Sequence, residues 1–161
     1  MNDSADFDDD DFEDDEDEFD HFVAAQDTVY DTVVAELTAG KKQTHWMWFI
    51  FPVLTGIGVS PMAMFYSLRD TAEAQAYLGH PLLGVRLLEC MRLIREHKGT
   101  DPVAIMGDTD AYKLRACATL FEAAAPTTPI FAAVLDEMFG GQRCTKSQRI
   151  LRAPPADDLF G

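Results

Sequence analysis

Four times along the chain a proline follows a residue that introduces an apolar run: Ser60-Pro61, His80-Pro81, Asp101-Pro102 and Thr128-Pro129. Proline suits the first turn of a helix, where its missing N–H is not needed, and Ser, Asp and Thr are good N-caps. Three of the four pairs therefore read as helix starts with a cap in place. Asp70-x-x-Glu73 adds a start of the capping-box type. Gly40, Gly79, Gly99 and Gly140-Gly141 supply the stops, since a helix commonly ends on a left-handed glycine. Between these marks, apolar residues recur three or four apart. Phe22, Val29, Val33 and Leu37, with Gln26, predict a helix over 19–39. Leu83, Leu87, Met91 and Ile94 predict one over 81–98, and Phe131, Leu135 and Met138 one over 129–139. Further helices are expected over about 110–125, ended by Pro126, and over 145–151. No interval alternates with β-branched residues. The fold class expected is mainly α: a compact multihelical single domain with little or no strand.

Charge divides the chain into parts. The 161 residues carry a net charge of −15, yet thirteen Asp or Glu and no Lys or Arg fall within residues 1–20. The remainder holds fifteen acids against thirteen bases and is nearly neutral. Residues 1–18 read as a disordered acidic tail, 19–153 as the helical domain, and 154–161 as a flexible C-terminal stub. A neutral body lacks the basic footprint of a duplex nucleic-acid binder, and the tail would repel phosphate. No secretory leader is recognisable at the N-terminus. The most apolar run, Trp46–Val59, is interrupted by Pro52, Gly56 and Gly58 and is shorter than the roughly 20 residues that span a bilayer. Three cysteines, Cys90, Cys117 and Cys144, give an odd count without paired spacing. They point to a reducing compartment and a cytoplasmic location, with no membrane contact.

Several chemical signatures are missing: a Gly-rich phosphate loop, a His-x-x-x-His pair, a Cys-x-x-Cys pair and a Gly-x-Ser-x-Gly elbow. The four histidines have no ligand spacing, so neither a metal nor a cofactor is expected. The informative stretch is Lys41–Tyr66. Trp46 and Trp48, two apart and preceded by His45, either form an aromatic platform for a base or divide into one core and one half-exposed ring, because a buried indole N–H needs a partner. Lys113 and Arg115 lie on one predicted helix with Thr119 a turn beyond Arg115. They suit an anion or a solvated helix face. Gly140-Gly141 allows close backbone approach by a ligand, or a helix C-cap and turn.

The string from Ala35 to Pro52, AELTAGKKQTHWMWFIFP, together with Glu73–Arg86, Lys113–Arg115, Thr119–Phe121 and Phe139–Gly141, resembles a bacterial family of unknown function whose members are sometimes mislabelled calpastatin. The likeness covers roughly residues 19–151. A periodic globular sequence does not suit that label, since calpastatin itself is a disordered, repeat-containing inhibitor. More distantly, Trp46–Pro52, Ser60–Tyr66, Glu73–Leu78 and Gly140–Gly141 resemble the outline of the YbiA-like superfamily, the NADAR domains. That resemblance implies a multihelical fold and a ligand of the ADP-ribose or NAD type, with cleavage of an N-glycosidic bond as the associated hydrolase chemistry. Carried onto this chain, it implies a binding site formed by His45, Trp46, Trp48, Ser60, Tyr66, Lys113, Arg115, Thr119, Gly140 and Gly141. The Ser60–Tyr66 run has no carboxylate beside Ser60, which leaves Asp70 and Glu73 as acid–base candidates. The alternative is a non-catalytic helical module that binds a protein partner.

Overall fold

The computed structural model describes residues 18–153. Apart from Glu18, the expected acidic tail lies outside the described residues, as does the stub of residues 154–161. Ten helices form the described part: α1 (Asp20–Asp27), α2 (Tyr30–Ala39), α3 (Met47–Ile50), α4 (Pro61–Phe65), α5 (Thr71–Gly79), α6 (Leu83–Arg95), α7 (Pro102–Met106), α8 (Asp108–Ala124), α9 (Pro129–Met138) and α10 (Thr145–Arg152). Among the described residues there is no strand, only one isolated parallel bridge between Leu54 and Leu68. The mainly α class is therefore the observed one. No helix of the described residues is long and apolar enough to cross a membrane.

Helix α8 is the axis of the packing. Ala116 through Phe121 are all buried in succession, so this helix has no solvent face along its middle turns. Helices α5, α7, α9 and α10 pack around it, and α6 closes against α2, α5 and α9. Small residues allow the close approaches. A Cβ on Gly84 would fall 1.9 Å from the carbonyl oxygen of Leu78, so α6 begins against the backbone end of α5 with no room for a side chain.

The caps follow the sequence in part. Ser60 Oγ accepts from the Ala63 amide and Asp101 Oδ1 from the Val103 amide. Thr128 makes no side-chain cap bond. His80 supplies one instead: its Nδ1 accepts from the amides of Leu82 and Leu83, so α6 starts two residues after Pro81. Asp70 Oδ1 accepts from the Glu73 amide, and Glu73 Oε1 accepts from the amide of Arg69 rather than that of Asp70. The helix expected over 19–39 is two helices, broken at Thr28–Val29 without a glycine or proline. Val29 N–H closes a turn onto Gln26 O, and Gln26 itself is buried. Its amide nitrogen donates to Phe49 O and Tyr77 Oη, and its carbonyl accepts from Arg86. Satisfying this buried amide fixes α1 against α3 and α5 at an angle that one straight helix would not give.

Candidate functional site

The Lys41–Trp46 segment is organised by one carboxylate. Glu36, near the end of α2, is buried and accepts four hydrogen bonds: from the Gln43 amide (2.9 Å), the Thr44 amide (3.1 Å), Thr44 Oγ1 (2.7 Å) and Trp46 Nε1 (2.9 Å). Burial pushes the carboxyl pKa up, but these four donors outweigh it and hold the group down at about 2. Lys42 Nζ lies 2.8 Å from Asp110 Oδ2 and over the Trp46 ring. Trp46 is thus a core residue with its indole N–H satisfied, while His45 beside it is exposed. Trp48 is half-buried, with Lys113 Nζ 5.6 Å from its ring centroid.

The remaining predicted residues fall into two other places. Tyr66 joins an aromatic cluster at the end of α4, stacked on His21 and edge-on to Phe65 and Phe22. Nearby, Glu73 lines a cleft of about 280 Å³ with His21, Met64, Ser67 and Arg69. Its carboxylate is bonded to Arg69, while Asp70 is committed to its cap. Burial lowers the His21 pKa, partly opposed by Glu73 and Asp20. Ser60 caps α4 at an exposed position.

Arg115 stands in a different groove. Two adjoining recesses, of about 360 and 550 Å³, share Tyr112, Arg115 and Gln142. One extends past Asp101, Asp108 and Phe139, and the other past Gly141, Arg143 and Thr145. Tyr112 and Arg115 are three apart on α8 and face the same way, and the guanidinium lies 5.7 Å from the Tyr112 ring centroid. Lys113 points instead to Trp48. The structure thus brings Arg115 and Gly141 together and leaves Trp46, Trp48, Tyr66 and Lys113 elsewhere.

Two arginines in this groove are treated differently. Arg143 is neutralised: it forms ion pairs with Glu122 and with Asp136, and it donates to Gly141 O. These contacts raise its already high pKa further, the Glu122 bond most. Arg115 forms no ion pair among the described residues. Its Nη1 reaches Gln142 Oε1 at 3.4 Å, and its buried Nε has no partner among them. Gly140 and Gly141 have φ of 63° and 82° and form the turn after α9. Gly141 N–H is already donated to Leu135 O, so this amide serves as a helix cap.

Behind the groove, Thr119 is buried, donates to Arg115 O and accepts from the Cys144 amide. It fastens the start of α10 to α8 and has no free face. Cys144 is the N-cap of α10, with its sulfur 3.4 Å from the Ser147 amide and 3.6 Å from Tyr112 Oη. Burial raises the pKa of this thiol, but its contacts with Ser147 and Tyr112 bring it below the usual value.

A family model described as a protein of unknown function matches residues 16–151. The chain belongs to the DUF1810 family. The match spans all of α1–α9 and nearly all of α10. A crystal structure of the conserved hypothetical protein Rv1873 from Mycobacterium tuberculosis is similar at 43% sequence identity, with a TM-score of 0.82. The similarity covers 84% of this chain and 97% of that one. No curated protein matches this DUF1810 chain.

Of the residues lining this groove, the sequence singles out Arg115 and Gly141 as binding candidates but not Tyr112, Gln142, Asp101 or Asp108, and Gly140 belongs to the turn without lining either recess. The three-residue spacing of Tyr112 to Arg115 was the available signal. Gln142 and the two aspartates come from other elements and meet Arg115 only through the fold.

Proposed function

We propose that this DUF1810 domain binds a small ribose- and phosphate-containing ligand of the ADP-ribose or NAD type in the Arg115 groove. The observation that carries the reading is the guanidinium of Arg115, which has no ion-pair partner among the described residues, in contrast to the doubly paired Arg143 beside it. A guanidinium with no carboxylate partner at the wall of a recess is suited to pair with a phosphate through its terminal N–H groups. Tyr112 and Phe139 offer apolar ring surface to a base, while Asp101 and Asp108 are acceptors suited to ribose hydroxyls. The size of the recesses is in the range of about 300–1,000 Å³ usual for ligand pockets. The distant resemblance to NADAR domains points to the same ligand class and suggests N-glycosidase chemistry. A hydrolytic step at this groove would use Asp108, which lines it, rather than Asp70 or Glu73, which lie elsewhere, or Asp101, whose Oδ1 caps α7.

Calorimetric titration of the full chain with ADP-ribose, NAD and AMP tests the reading. Binding of at least one is expected, with loss in Arg115→Met and retention in Lys113→Met. If none binds at millimolar concentration, the ligand reading fails. The non-catalytic interaction module then stands, favoured by the joint exposure of Val59, Met62, Met64 and Phe65 around α4.

A further inference from the structure

Helix α10 is amphipathic in an unusual sense. Ser147, Ile150 and Leu151 turn inward, while Lys146, Arg149 and Arg152 occupy exposed positions three residues apart. That spacing sets the three cations along one face over about 9 Å. None of them forms an ion pair among the described residues. Elsewhere, exposed Lys98 and half-buried Arg95 share Glu137 and Arg69 is bonded to Glu73, while the exposed cations Lys41 and Arg92, also without an ion pair among the described residues, stand on separate elements. Among the described residues no other helix carries three cations without an ion pair, and the net charge of the chain is −15.

The described chain begins near this helix. Glu18 lines a cleft with Thr55, and the next residue, Gly56, abuts Ile150 of α10, where a Cβ would lie 3.3 Å from Ile150 Cδ1. Residues 1–17 precede Glu18 and hold eleven Asp or Glu with no Lys or Arg. Seventeen residues reach up to about 55 Å, far more than the path from Glu18 past Gly56 to Arg149 requires.

We infer that the cationic face of α10 is the docking surface for the chain's own acidic segment, residues 1–17. Exposed charges attract one another weakly pair by pair, but three adjacent cations facing a dense run of carboxylates on the same chain gain from high effective concentration. The contact is electrostatic and salt-sensitive. It covers the helix whose first turn, at Thr145 and Gln148, borders the Arg115 groove.

The test uses the full chain carrying Ser4→Cys with a nitroxide on the new thiol, the three native cysteines being buried. At about 10 mM salt, where the Debye length is about 30 Å, amide signals of residues 145–152 are expected to broaden selectively. The broadening should vanish at about 1 M salt, and also in K146E/R149E/R152E, whose exposed side chains leave the core untouched. Broadening centred on Arg92, Arg95 and Lys98 would overturn the inference. So would broadening spread evenly over the surface, or unchanged in the charge-reversed variant.

Discussion

The Glu36 carboxylate lies 2.9 Å from the indole nitrogen of Trp46, ten residues further along the chain and beyond a loop. The same carboxylate gathers two amides and a hydroxyl of that loop. The lysine, histidine and tryptophan signature is therefore first a folding device, in which one buried anion shapes the connection from α2 to α3. Its carboxyl titrates at about 2 in the folded protein, below its ordinary 4.5. A depressed acid contributes stability above the unfolded pKa and loses it as pH falls through the folded one. Urea unfolding between pH 7 and pH 2 should show a loss starting near pH 4.5, up to about 3 kcal/mol, that is absent in Glu36→Gln. Glu36→Gln should itself be less stable at pH 7, because its amide group brings donors toward donors.

Trp46 and Trp48 should part company in a stability measurement. Trp46→Ala removes a fully buried ring and should cost about 3–5 kcal/mol. Trp48→Ala removes a half-buried ring with a lysine over it and should cost about 1–2 kcal/mol. Equal losses in denaturant would mean that the two rings share one environment.

Gly84→Ala is the most damaging small change to expect. The new Cβ would meet backbone, the Leu78 carbonyl at 1.9 Å, which cannot rotate away as a side chain could. Separating α5 from α6 would also open the packing of both on α8 and α9. A cost above about 3 kcal/mol is expected by thermal or urea unfolding, whereas Gly79→Ala, with nothing near its Cβ, should shift stability little.

Cys144→Ser should stabilise the domain. A hydroxyl is a better N-cap acceptor than a thiol for the Ser147 amide, and like the thiol it can donate to Tyr112 Oη. A gain of about 1 kcal/mol, or roughly 3 °C in melting temperature, is expected from scanning calorimetry.

Removing residues 1–17 should tighten binding of an anionic ligand at Arg115. Their eleven carboxylates oppose the approach of phosphate, and the effect should fade at high salt. Equal affinities for full and shortened chains at low salt would separate the acidic segment from the groove.

Much of the fold was legible because its punctuation is local. Ser60, Asp70 and Asp101 cap the helices that follow them, and Gly40 closes α2 at φ 71°. The bend at Thr28–Val29 was not legible, since it answers to Phe49 and Tyr77 through Gln26 rather than to any residue at the bend. His80 was likewise hidden, because an imidazole acts as an amide acceptor only once the turn has brought Leu82 and Leu83 to it. At the candidate site, Arg115 could be picked out as a cation, but its lack of an ion-pair partner among the described residues could not. That depends on Glu122 and Asp136 being taken by Arg143 instead.

Lys42 has an implication for the order in which the chain is made. Its amide donates to Ile105 O and its ammonium group meets Asp110, both more than sixty residues downstream. On the ribosome, α2 and the tryptophan loop emerge well before either partner exists. They must wait, with an apolar segment uncovered, until α7 and the start of α8 leave the exit tunnel. The N-terminal half of the molecule is thus synthesised first and completed late, and that interval is when nascent chains would most need a chaperone.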